Sequence, residues 1–145
     1  MKASDLVGTW TLVRYETATP DGKVVLPMGA DAFGRLTYTS DGYMHAYMCP
    51  ASRSPFAGND MYAGSEVERL AAADRFLAYC GPFEVQGDSV LHHAESCFFP
   101  NWVGQTLPRK AELQGDRLTL RAPTAKRNGV QGEARLIWQR LKRSS

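Results

Sequence analysis

Arg109 is the residue of this chain with the most chemistry to offer. In the run from Gln105 to Leu113, strand alternation puts Lys110 and Glu112 on one face and sets Arg109 beside Leu107, Ala111 and Leu113 on the other. The spacing therefore predicts a guanidinium facing inward among apolar neighbours. An arginine cannot shed its charge, so in such a place it needs an anionic or strongly polar partner. One such partner is a ligand carboxylate, enolate, phenolate or polarised carbonyl, gripped through two parallel hydrogen bonds if planar. The other is internal: a protein carboxylate, backbone carbonyls, or water reached by snorkelling to a rim.

His92 falls into a similar position. From Val90 to Phe98 the two faces are Val90, His92, Ala94 and Ser96 against Leu91, His93, Glu95 and Cys97. The face without Glu95 is read as the inner one, which turns His92 in and His93 out. An inward imidazole can donate to a ligand oxygen or act as an acid or base; it can equally be a core histidine satisfied by the protein itself. Arg109 and His92 are thus the candidate catalytic pair, with no third member that the sequence names.

Tyrosines supply the remaining polar candidates. Tyr79, Gly81, Phe83 and Val85 share one face of their run, and Leu36 shares one with Tyr38. Inward tyrosines bring an apolar body and one hydroxyl, which suits an amphipathic ligand and could complete a cluster with Arg109 and His92, unless they pack as ordinary core. Met44, Ala46 and Met48 alternate with Tyr43, His45 and Tyr47, and adaptable thioethers point to Met44 rather than His45 as lining. Trp102 ends the apolar segment Cys97-Phe98-Phe99-Pro100-Asn101-Trp102, which is either a gate at a mouth or a cover over strand ends. The candidate ligand-binding set is therefore Arg109, His92, Tyr38, Tyr79, Phe83, Met44 and Trp102.

Other chemistries find little purchase. His93 and Cys97 share a strand face but stand roughly 13 Å apart at about 3.3 Å per residue, too far to chelate one ion. There is no Gly-x-Ser-x-Gly elbow, no phosphate-cradling glycine loop and no recognisable partner for a cysteine nucleophile, so neither a metal nor a cofactor is expected. The net charge of +2 is small, and Lys and Arg are scattered apart from the terminal Arg140, Lys142 and Arg143, which argues against nucleic-acid binding. No apolar run approaches the roughly 20 residues of a membrane-spanning helix. Three cysteines, Cys49, Cys80 and Cys97, without CxxC spacing, and an N-terminus without a basic-then-apolar leader, suggest a reduced, cytoplasmic protein.

The elements that must position these residues are mostly strands. Length, 145 residues, and a composition of 43% hydrophobic and 22% charged residues suit one globular domain over 1–145. Gly8 to Tyr15 alternates Trp10, Leu12 and Arg14 against Thr9, Thr11, Val13 and Tyr15, with a short helical turn before it from Ser4 or Asp5. Lys23 to Leu26 is a weak second strand. Phe33 to Thr39 and Tyr43 to Cys49 flank Ser40-Asp41-Gly42 as a hairpin. Pro50 to Asn59 reads as a loop, and Ser65 with Glu68 has capping-box spacing for one helix from about Ser65 to Arg75. Strands return at Phe76 to Gln86, Val90 to Phe98, Gly104 to Leu113, Arg117 to Ala122 and Gly132 to Leu141, with turns at Gly87-Asp88 and Gly115-Asp116 and a longer connection at Asn128-Gly129. The sum is an all-β chain of about eight to ten antiparallel strands with one inserted α-helix.

Taken in order, Leu6-Val7-Gly8-Thr9-Trp10, Asp41-Gly42-Tyr43-Met44, Tyr79-Cys80-Gly81-Pro82-Phe83, Val90-Leu91-His92-His93, Phe99-Pro100-Asn101-Trp102-Val103-Gly104 and Leu136-Ile137-Trp138-Gln139-Arg140 resemble the small lipocalin-like domain proteins of bacteria and fungi. The resemblance implies a closed, calycin-type barrel. It also implies that the Gly-x-Trp tryptophan, here Trp10, packs across the closed end beneath an arginine of the last strand, here Arg140. Secreted lipocalins carry a leader and usually disulfides, neither of which is expected here, so an extracellular carrier role is not inherited.

Two functions stay open at this level. In the first, the barrel holds one small hydrophobic or amphipathic ligand, anionic or carbonyl-bearing, oriented by Arg109, His92 and a tyrosine. In the second, the same cavity runs cofactor-free isomerase, cyclase or lyase chemistry, with Arg109 stabilising negative charge and His92 moving a proton. A homodimer through an exposed edge strand is compatible with either.

Overall fold

The computed structural model describes residues 1–124, 129 and 131–142; Asn128 and Arg143 lie outside the described residues. The strands are β1 (Gly8–Ala18), β2 (Val24–Val25), β3 (Phe33–Tyr38), β4 (Tyr43–Cys49), β5 (Leu77–Gln86), β6 (Ser89–His93), β7 (Ser96–Cys97), β8 (Thr106–Gln114), β9 (Arg117–Pro123) and β10 (Glu133–Arg140). Helix α1 (Ala3–Leu6) precedes them and helix α2 (Glu66–Ala73) is inserted between β4 and β5, with a 3-10 turn at Pro100–Trp102. The N-terminus of α2 is held as its sequence predicts: the Glu68 N–H donates to Ser65 Oγ at 3.1 Å and the Ser65 N–H to Glu68 Oε1 at 3.0 Å.

All pairings are antiparallel, and the order β10-β9-β8-β6-β5-β4-β3-β1 is closed by β1 pairing with β10, giving an eight-stranded barrel. Strands β2 and β7, two residues each, lie outside that ring, on β1 and β5. Closure gives the ring strands a neighbour on both sides and makes the inside of the barrel the core. Among the described residues no helix is long and apolar enough to cross a membrane.

Two irregularities turn side chains over. The β1–β10 register shifts between Leu12 and Arg14, so Val13 and Arg14 are both exposed and Tyr15, not Arg14, points inward. On the other side, Phe83 faces His92 while Cys80 faces Ser96, so two residues of β5 stand opposite three of the returning chain. That extra residue ends the alternation assumed from Val90 to Phe98: Ser96 is exposed and Cys97 packs on the core instead. Gly81 lies at this crossing, where a Cβ would sit 1.8 Å from the His93 carbonyl oxygen.

One end of the barrel is solid. Leu6, Trp10, Tyr38, Met44, Val90 and Leu118 are all but completely buried, and the Trp10 indole N–H donates to the Leu6 carbonyl at 2.9 Å. The Arg140 guanidinium carbon lies 4.1 Å from the centroid of the Trp10 ring, as the resemblance implies. Gly8 has φ +131°, and a Cβ there would approach Arg140 Nη1 at 3.1 Å, which accounts for the glycine two residues before the tryptophan.

Candidate functional site

The other end is hollow. A cavity of about 510 Å³ opens there, within the range of small-ligand pockets, and its wall is largely aliphatic, with Leu36, Met48, Leu77, Leu107, Leu120 and Leu136. Its polar side chains are Arg109 on β8, Tyr79 on β5, His92 on β6, Tyr15 on β1, Tyr47 on β4, Thr124 after β9, and the indoles of Trp102 and Trp138. Among the described residues no Asp or Glu lines it.

Of the residues singled out from sequence, Arg109, His92, Tyr79 and Trp102 line this cavity. Tyr38, Met44 and Phe83 do not; they face inward as alternation requires but lie in the packed part of the core, buried to within 7% exposure. They are thus placed behind the cavity wall rather than on it, because the barrel is filled over part of its length. His45 and His93 lie on the outer face, as expected. Phe99 and Trp102, edge to face with centroids 6.0 Å apart, line the cavity on the segment read as gate or cover. Tyr15, Tyr47 and Trp138 also line the cavity and lie outside the sequence candidates; Tyr47 does so from the strand face opposite Met48. The β1 register shift hides Tyr15 from simple alternation, whereas Trp138 shares a face with Leu136 and Ala134 and was legible.

His92 is the best-buried polar residue, with no exposure. Its Nε2 is 2.8 Å from the Tyr38 hydroxyl and its Nδ1 is 2.8 Å from the Tyr79 hydroxyl. Burial, reinforced by the charges of Arg109 and His93, pushes its pKa down to about 3, so the ring is neutral near pH 7. Burial likewise raises the Tyr38 hydroxyl well above the usual tyrosine value, with Tyr79 adding and Arg109 opposing. Tyr79 and Tyr15 are raised by burial too, partly offset by Arg109.

Arg109 Nη1 donates to the carbonyl of its neighbour Pro108 at 3.0 Å, and its guanidinium carbon is 5.9 Å from the Trp102 ring centroid. Among the described residues no carboxylate forms an ion pair with it, whereas Arg14, Arg121, Arg135 and Arg140 all have one. Trp138 also lines the cavity, and its indole nitrogen is buried without a hydrogen-bond partner among the described residues. The arrangement can therefore hold an apolar body and meet a polar oxygen with donors.

A closed eight-stranded antiparallel barrel, plugged by a tryptophan under an arginine at one end and hollow at the other, is a barrel of the lipocalin type. Residues 7–141 match the lipocalin-like domain family, and the chain belongs to that family. Among curated proteins it is similar to the 4'-hydroxy-3'-methoxypropiophenone carrier protein of Aspergillus oryzae, 30% identical over 96 residues that cover 59% of this chain and 86% of the relative. No solved structure matches the chain.

Proposed function

We propose that this barrel binds and carries one small, largely apolar molecule bearing a carbonyl or anionic oxygen, with that oxygen directed at Arg109. The observation that carries the reading is the cavity itself: about 510 Å³, walled by aliphatic side chains, with one arginine that has no acidic partner among the described residues. A guanidinium beside apolar walls is costly unless something meets it, and a ligand oxygen does so while its hydrocarbon or aryl body covers the leucines. The carrier relative named for an aryl ketone supports the same class of occupant, a phenyl ring with a carbonyl and a phenolic oxygen.

The surroundings of His92 favour binding over proton transfer. A base must offer a free lone pair near its working pH, and this imidazole spends both nitrogens on tyrosines and holds a pKa of about 3. Three free thiols suit a reducing, cytoplasmic setting for such a carrier. Titration of the protein with 4'-hydroxy-3'-methoxypropiophenone, followed by quenching of tryptophan emission, tests the reading. Saturable one-to-one binding that weakens on Arg109→Met supports it, and no binding of this or related aryl ketones and aryl acids would count against it.

A further inference from the structure

The Tyr38–His92–Tyr79 chain joins the packed part of the barrel to its cavity. Tyr38 is 1% exposed and does not line the cavity, while Tyr79 does. A neutral imidazole has one N–H and one lone pair, so it donates to one tyrosine and accepts from the other. Two directions are open. If Nε2 carries the proton, it donates to the Tyr38 oxygen, and the Tyr38 O–H is left without an acceptor, because His92 is its one hydrogen-bond partner among the described residues. If Nδ1 carries the proton, Tyr38 donates to Nε2, Nδ1–H donates to Tyr79, and the spare O–H belongs to Tyr79, which has a cavity beside it.

Stranding a donor in closed packing is disfavoured on the order of tenfold or more, whereas a donor at a cavity wall is satisfied by water or ligand. The positive charge of Arg109 acts on Tyr79 in the same sense, drawing the hydroxyl oxygen toward itself and turning the hydrogen away.

We propose that this chain has a fixed direction, Tyr38 O–H to His92 Nε2 and His92 Nδ1–H to the Tyr79 oxygen, so that Tyr79 is a dedicated donor to the cavity and the site selects ligands with an acceptor oxygen. The selectivity rests on the ligand-binding reading above; the direction of the chain does not. Arg109 can only donate, and so can the indole N–H of Trp138, which has no hydrogen-bond partner among the described residues and adds a second donor-only group to the cavity wall. Tyr79 is then a specificity residue, and His92 and Tyr38 are positioning residues that act through it. A carbonyl or oxyanion fits this set of donors, and an analogue lacking that oxygen leaves them unmatched.

Two measurements test it. In the ligand-free protein, long-range proton–nitrogen NMR correlations are expected to show His92 neutral near pH 7 with the proton on Nδ1; a proton on Nε2 overturns the proposal. In titrations with 4'-hydroxy-3'-methoxypropiophenone and 2-methoxy-4-propylphenol, the same skeleton without the carbonyl oxygen, the native protein is expected to prefer the ketone by about tenfold or more. Tyr79→Phe is expected to cut that preference by about fivefold while leaving affinity for 2-methoxy-4-propylphenol within about twofold. Equal native affinity for both probes, or a variant that weakens both alike, overturns the selectivity. Failure of both probes to bind would instead count against the ligand-binding reading, and the NMR result would still decide the direction of the chain.

Discussion

The Arg140 guanidinium spans the first and last strands of the barrel: it lies 4.1 Å from the Trp10 ring centroid while Nη1 donates to the Val7 carbonyl at 2.7 Å and Nη2 to the Asp5 carbonyl at 2.6 Å. Its Nε also faces Asp116 at 3.3 Å. One side chain thus ties α1, the start of β1, the β8–β9 turn and the end of β10 into a single closure.

Arg140→Ala removes the cation from the indole face, two charge-assisted hydrogen bonds and the ion pair with Asp116, at a cost of about 3 kcal/mol or more. Urea denaturation should show a lower midpoint with an unchanged slope. Ligand affinity should stay within about twofold, because Arg140 does not line the cavity.

Arg109→Met should separate stability from binding in the opposite way. Among the described residues no partner carboxylate is orphaned by the change, and a thioether suits the aliphatic wall, so thermal stability is expected to be equal to or above that of the native protein. Affinity for an aryl ketone should fall about tenfold or more, the loss of one charge-assisted hydrogen bond. A drop in melting temperature of more than a few degrees would mean that Arg109 has an internal structural role.

Acid should expose His92. Its pKa is about 3 in the folded chain and 6.5 in the unfolded one, so below about pH 6.5 the unfolded state takes up a proton that the folded state refuses. Stability is then lost as pH falls, by up to about 1.4 kcal/mol per pH unit down to about pH 3. Between about pH 6.5 and 5 carboxylates titrate little, so that window isolates the effect. The carboxylates whose pKa is lowered, such as Glu16 and Asp116, add to the loss at lower pH. Urea midpoints measured against pH should fall less steeply for His92→Gln than for the native protein; identical slopes would contradict the assignment.

Gly81→Ala should be severe although only one methyl is added. The nearest atom, the His93 carbonyl oxygen, is backbone in the strand that carries His92, and the separation of 1.8 Å leaves no room. A cost of about 3 kcal/mol or more is expected. It should appear as loss of cooperative unfolding or as insoluble protein, whereas a variant with native stability would show that β6 can move aside.

Much of the fold is legible in local pattern. The hairpin Phe33–Tyr38 to Tyr43–Cys49, the capped helix after Ser65, the inward sides of Met44 and Arg109 and the outward side of His93 all follow from period-two alternation, capping chemistry and turn residues. Where alternation fails it fails at a register shift. Tyr15 and Cys97 are turned over by single extra residues that reflect how neighbouring strands pair, which a local pattern does not record.

By itself the sequence determined the barrel class, the Trp10 and Arg140 pairing through its resemblance, and a short set of inward polar residues, because these depend on residue type and spacing along one strand. Only the tertiary structure decided which inward residues meet a void and which meet each other. Tyr38 and His92 are 54 positions apart yet share a hydrogen bond, and Met44 and Phe83 face inward like Met48 but into packing rather than space. The physical reason is that burial toward the axis is set by each strand's own pleat, whereas the height at which the barrel stops being filled is set by the summed volumes of side chains from all eight strands.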